Sequence, residues 1–161
     1  MKKGLSLAFI VMMSLVVLLT GCGSSGSGQE AEAAENRQVE EENSKMQMKV
    51  QVGGSTFTAA LEENEAVDAL VDMMEQGPVT IQMSDYSGFE KVGPLGTSIP
   101  ASNQQTTTQA GDIVLYQGNQ IVMFYGSNSW SYTRLGHIDD LTGWEEALGS
   151  GDVTVTFSLE D

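Results

Sequence analysis

The segment SYTRLGHIDD, Ser131 to Asp140, holds the only histidine of the chain, His137, and its only arginine after position 37, Arg134. Two carboxylates, Asp139 and Asp140, follow at once. Imidazole, guanidinium and carboxylate groups move protons and recognise anions, so the segment could be a catalytic set, a ligand surface or an ordinary ion pair. A serine hydrolase needs a nucleophile, a base and an orienting group. Acids beside the histidine along the chain do not make that set, and no G-x-S-x-G occurs after the N-terminal region.

Other site chemistry finds still less support. Zinc sites draw on several Cys and His, and this chain has one of each. Calcium could use Asp139, Asp140, Glu62 or Glu63, but no loop alternates oxygen ligands in the EF-hand manner, and these carboxylates read as solvated surface. Met46, Met48, Met73, Met74, Met83 and Met123 fall mostly at apolar strand or helix positions, which favours core filling over copper binding. No phosphate-cradling glycine loop precedes a helix. The expectation is no cofactor, no metal and no catalytic residue.

The elements that position Arg134 and His137 begin far upstream. Lys2 and Lys3 precede an uncharged stretch from Leu5 to Leu19, the n-region and h-region of a signal peptide, too short for a permanent span. Leu19-Thr20-Gly21-Cys22 resembles a bacterial lipobox, so cleavage is expected before Cys22, whose thiol would carry the lipid. Cys22 is the only cysteine, and no intrachain disulfide is possible. GSSGSG and the acid-rich QEAEAAENRQVEEENSK lack the apolar groups to offset the entropy of ordering. Residues 1–21 thus read as signal peptide, 22–45 as a lipidated cysteine with a flexible tether, and 46–161 as one domain. The expected place is the outer face of the bacterial cell membrane, held by a lipid on Cys22.

Charge narrows the partners. A formal net charge of −15 argues against nucleic acid, whose phosphates favour Lys and Arg, and against electrostatic docking on anionic lipid. Oligomeric state is not legible.

The domain reads mainly as strands. Met46, Met48, Val50 and Val52 alternate with polar residues, and after Gly53-Gly54 the alternation resumes at Phe57, Ala59 and Leu61, a hairpin with both glycines expected at positive φ. Asn64 is placed to cap a helix with Ala66, Val67, Leu70, Val71 and Met74 on one stripe, stopped by Gly77-Pro78. Val79, Ile81 and Met83 alternate again. Ser84 to Gln109 has no clear period and reads as irregular and exposed. Gly111 to Tyr116 and Gln120 to Tyr125 form a second hairpin, Thr142-x-x-Glu145 resembles a capping box for a short helix through Leu148, and Asp152 to Leu159 closes the chain. In the segment SYTRLGHIDD, strict alternation would put Leu135 and Ile138 on opposite faces. A β-bulge at Gly136 returns both to one face and turns Arg134 and His137 outwards, with Arg134 near Tyr132 and the histidine ring free in solvent.

GDIVLYQGNQIVMFYG, YTRLGHIDD, LGSGDVTVTF and the opening MKVQVGGSTFTAAL together resemble the cyclophilin-like family of small bacterial proteins. That resemblance covers residues 46–161 and implies a mainly β fold, a closed barrel of about eight strands with two helices. True cyclophilins are prolyl isomerases whose arginine follows an aromatic residue and a histidine; the matching region here, MSDYSGFEKVGPLG, has Lys91 as its only cation. Lysine is a point charge without the planar fork of arginine. A binding module for a small molecule or peptide is therefore the leading expectation, with peptidyl-prolyl isomerase as the alternative. In the cyclophilin architecture the ligand groove lies on the outer wall, so Tyr86, Phe89, Tyr125, Trp130, Tyr132 and Arg134 are the candidate ligand-binding residues. Trp130, in the polar run GSNSWSY, reads as lying in a loop, either as a ligand contact or as a lid on the barrel mouth.

Overall fold

Residues 45–160 are described by a computed structural model; the expected signal peptide, Cys22 and nearly all of the tether lie outside the described residues. β1 (Gln47–Val52) and β2 (Ser55–Leu61) form the first hairpin, pairing Val52 with Ser55 across Gly53-Gly54. Only Gly53 takes a positive φ, 57°, so one left-handed residue suffices for this turn where two were expected. The Asn64 carboxamide oxygen accepts from the Val67 N–H at 3.0 Å and starts α1 (Glu65–Glu75). Its amide nitrogen donates to the Arg134 carbonyl at 2.9 Å, tying the start of the helix to the strand that carries Arg134. Ala66, Val67, Leu70, Val71 and Met74 are all buried, as their spacing predicts. Burial of a side chain such as Leu70 contributes about 2 kcal/mol, so this stripe holds the helix in place.

β3 (Val79–Tyr86) follows and turns directly into β4 (Glu90–Pro94), with Tyr86 opposite Glu90. Here the expectation of an irregular, exposed segment fails. Ser84 to Gln109 contains the end of β3, all of β4 and the short β5 (Gln104–Thr107), and Glu90, Lys91 and Leu95 within it are buried. The strand was hidden because Glu-Lys-Val-Gly-Pro has a single β-branched residue, Val92, beside two charges, a Gly and a Pro, and tertiary pairing overrides that propensity.

β6 (Asp112–Tyr116) and β7 (Gln120–Phe124) form the second hairpin, with Gln117 and Gly118 both at positive φ. β8 (Ser129–Ile138) is long, and Trp130 belongs to it rather than to a loop. Against β6 its register runs Ile113 to Gly136 and then Val114 to Arg134, so Leu135 is the extra residue of a bulge. Leu135 and Ile138 consequently share the interior. Gly136 is required there because a Cβ would stand 2.7 Å from the Ala60 carbonyl oxygen. α2 (Trp144–Leu148) starts from Gly143 without a side-chain cap, so the expected Thr142 capping box does not form; instead the Thr142 N–H donates to Asp140 Oδ1 at 3.0 Å. β9 (Val153–Leu159) completes the chain.

The sheet order is β2-β1-β9-β3-β4-β7-β6-β8-β5, and β2 also pairs with β8. That second pairing closes eight strands into an antiparallel barrel and leaves β5 outside, on the free edge of β8. Both helices contribute to the interior cluster, α2 through Trp144 and Leu148. The Trp144 indole N–H donates to the Phe124 carbonyl at 2.9 Å, and its ring meets Phe57 edge-on at 4.9 Å. Met48, Met74, Met83 and Met123 are core residues, while Met46 is exposed. No helix of the described residues is long and apolar enough to cross a membrane.

Candidate functional site

Successive residues of β4 face opposite sides of the wall. Lys91 and Gly93 pair with Met123 and Ile121, residues of the barrel interior. Glu90 and Val92 pair with Phe124 and Val122, which belong to a second apolar cluster completed by Val114 and Tyr132. These residues lie on the outer surface of β4, β7, β6 and β8, where a barrel wall ordinarily meets water. Phe89, Val92 and Tyr116 pack around them. The rings meet edge-on, Phe124 with Tyr132 at 5.7 Å and Tyr116 with Tyr132 at 6.1 Å, a favourable geometry for aromatic quadrupoles.

Above this floor is a hollow of about 410 Å³ lined by Tyr86, Glu90, Val92, Tyr116, Gln120, Val122, Asn128, Trp130 and Tyr132. Its rim includes two of the most exposed large apolar side chains of the described residues, Tyr86 at 58% and Trp130 at 57%. Trp130 is therefore no lid folded over the barrel mouth. Asn128 donates to the Tyr132 hydroxyl at 3.0 Å and fixes that ring's edge. Glu90 is only 5% exposed, and its Oε2 has no hydrogen-bond partner. Burial pushes its carboxyl up to about 7. An orphaned buried carboxyl costs folding free energy, which a functional use would explain.

Lys91, on the other face, is fully buried and fully occupied. Its Nζ donates to Asp85 Oδ1 at 2.9 Å and to the Gly151 carbonyl at 2.7 Å, and lies 5.6 Å from the centre of the Tyr125 ring. The Tyr125 hydroxyl also donates to Asp85 Oδ1. That phenol, and next the Lys91 ammonium, hold the Asp85 carboxyl below its usual range. Burial and then the Asp85 bond push the Tyr125 phenol up to about 12. Tyr125 thus belongs to an internal ion-pair network and does not reach the outer hollow.

Arg134 and His137 converge on a third place. Asp112 on β6 is buried and accepts from three sides: His137 Nδ1 at 2.8 Å, Arg134 Nη1 at 3.5 Å, and the Gln109 N–H, which reaches Oδ2 at 2.9 Å. With Asp112 accepting, the imidazole donates from Nδ1. The expectation of a histidine free in solvent is wrong, because the bulge carries His137 to the buried carboxylate instead. Arg134 does not stack on Tyr132; among the described residues the cation lying over an aromatic ring is Lys91. Around this cluster is a polar crevice of about 730 Å³, with no serine, threonine or cysteine in its lining to act as nucleophile. No group of three or more His, Cys, Asp or Glu positioned to hold a metal occurs among the described residues.

Of the six residues chosen from sequence, Tyr86, Trp130 and Tyr132 line the hollow and Phe89 packs beside it, meeting Tyr86 edge-on at 6.1 Å. Tyr125 and Arg134 lie elsewhere. Sequence reasoning missed Glu90, Tyr116, Gln120 and Asn128. The signal for Glu90 was its place one residue before Lys91 in a strand, which sends the two charges to opposite faces, but the strand itself was not recognised.

Residues 50–158 match a family described as the cyclophilin-like family. Among solved structures the chain is similar to a hypothetical protein from Archaeoglobus fulgidus, determined in solution, with 15% identity and a TM-score of 0.55 over 72% of this chain and 95% of that one. At that identity the likeness concerns the fold alone. No curated protein matches.

Proposed function

The chain belongs to the cyclophilin-like family, and from that premise we propose that it is a lipid-anchored binding module of the bacterial cell envelope, taking a small molecule or a peptide in the outer-wall hollow. The observation that carries this reading is the pairing of exposed aromatic side chains with an unpartnered, buried carboxyl on the outside of a closed barrel. A wall that had only to fold would expose Glu90 to water or give it a partner, because a buried polar group without a hydrogen bond costs about 1–3 kcal/mol. A concavity lined mainly by aromatic and aliphatic side chains, with a few placed polar groups, is the ordinary form of a ligand site. Gln120 and Asn128 supply amides at its edge.

Anchoring rests on the sequence: a basic start, an uncharged stretch and Leu19-Thr20-Gly21-Cys22, with acyl chains on Cys22 holding the domain outside the cytoplasm on a tether. Peptidyl-prolyl isomerisation is the second reading, and it draws on the fold. It lacks a positioned cation, since no Arg, Lys or His lines the hollow and Lys91 is engaged on the interior side of β4. A ligand screen read at the hollow tests the binding reading, and a proline-peptide exchange assay tests the second.

A further inference from the structure

We infer that the group recognised in the hollow is an ammonium, primary or methylated, carried by a small molecule or by a peptide side chain. The inference rests on the hollow being the ligand site and goes further by naming the chemistry it selects. Four rings, Tyr86, Tyr116, Trp130 and Tyr132, line the same concavity as Glu90. Aromatic faces carry negative quadrupole potential and attract cations, most strongly where water is excluded. Once ionised, Glu90 supplies a formal charge of the matching sign, and its Oε2 has no protein donor.

No cation competes for that role. The lining holds no Lys, Arg or His, and the nearest lysine along the chain, Lys91, is turned through the wall onto Asp85 and the Gly151 carbonyl. An anionic ligand would face a carboxylate on a strongly acidic chain and meet no positive group. A neutral apolar ligand would gain contact with the rings but leave Glu90 without a partner. An ammonium satisfies both features together: its N–H groups or polarised methyl groups meet the rings, and its charge meets the carboxylate.

The probes are n-butylammonium against n-butanol, and choline against its uncharged carbon isostere, titrated into the full chain in a maltoside detergent free of choline. Emission from Trp130 reports binding, with the buried Trp144 as the second tryptophan of the chain. Each cation is expected to bind at least about tenfold more tightly than its neutral partner. Glu90→Gln should remove most of that preference while keeping the neutral ligand. An Nα-acetyl-lysine amide, with its ε-ammonium free, that binds like n-butylammonium identifies a peptide side chain as the source; binding restricted to the free ions identifies a small molecule. Equal affinity for charged and neutral probes, or an undiminished preference in Glu90→Gln, would overturn the ammonium inference and leave the hollow as a binding site. If no probe perturbs Trp130, and no neutral compound does so either, the binding reading falls together with it.

Discussion

Glu90 and Lys91 are adjacent on β4, yet their charges never meet: the lysine lies inside the barrel on Asp85, while the glutamate lies in the outer hollow with an unpaired Oε2. The strand's alternation separates them, and the wall between them is a single sheet thick. An ion pair that would have been the cheapest arrangement for both is thereby prevented. Lys91 is given other partners, and Glu90 is not.

Stability should record that choice in its pH dependence. The native Glu90 carboxyl titrates at about 7 against an ordinary value of 4.5, so between those two values the folded state holds a proton that the unfolded chain has released. The group's contribution is complete below the unfolded value and is lost as pH rises through the folded one. Glu90→Gln should therefore leave stability near pH ~4 unchanged and raise it near pH ~8 by about 2 kcal/mol, allowing for the hydrated side of the hollow. Denaturant midpoints of the two proteins across that range check it; parallel curves would mean that Glu90 takes up its proton at the same pH in the folded and unfolded states.

At the Asp112 cluster the histidine should matter more than the arginine. Arg134 is 40% exposed at its side chain and 3.5 Å from the carboxylate, so Arg134→Ala should cost about 1 kcal/mol or less. His137 is at 2.8 Å, and His137→Ala leaves a buried acceptor without its closest donor, a loss of about 1–3 kcal/mol. Chemical denaturation of both variants ranks them, and the reverse order would show that Arg134 is the real partner of Asp112.

Gly136→Ala tests the bulge. The added methyl would stand 2.7 Å from the Ala60 carbonyl oxygen, a backbone atom that cannot turn aside, and should destabilise the barrel by about 1–3 kcal/mol by forcing β2 and β8 apart. A neutral substitution, measured by thermal melting, would mean that the β2–β8 closure is looser than its register indicates.

Cys22→Ser addresses the anchor. Loss of the acceptor thiol should leave an uncleaved, unlipidated precursor, detected by mass spectrometry of the membrane fraction and by altered detergent partitioning. A wild-type chain recovered in the medium without attached lipid would remove the anchoring half of the proposal.

Much of the barrel is legible in the sequence because its elements obey single periods. The stripe from Ala66 to Met74 and the alternation of Val153, Val155, Phe157 and Leu159 each specify one buried face, and Gly136 between Leu135 and Ile138 announces the bulge. β4 fails that test: a Glu and a Lys side by side, followed by Gly and Pro, look like surface, and only closure of the sheet reveals that both charges are buried. The site was half legible for the same reason. Exposed aromatic residues such as Trp130 stand out by type, but Glu90 becomes informative only once its partners are known to be absent. Tyr125 and Arg134 fall away from the hollow because their direction depends on partners, Asp85 and Asp112, distant in the chain.

The outer-wall hollow is the centre of this account, and chemical-shift mapping during a fragment screen on the isotope-labelled chain tests it most directly. Perturbations are expected to cluster on Tyr86, Glu90, Tyr116, Gln120, Trp130 and Tyr132, and to be lost in Trp130→Ala without loss of fold. A ligand whose perturbations map instead to the polar crevice around Asp112, Arg134 and His137, leaving the hollow silent, would contradict it.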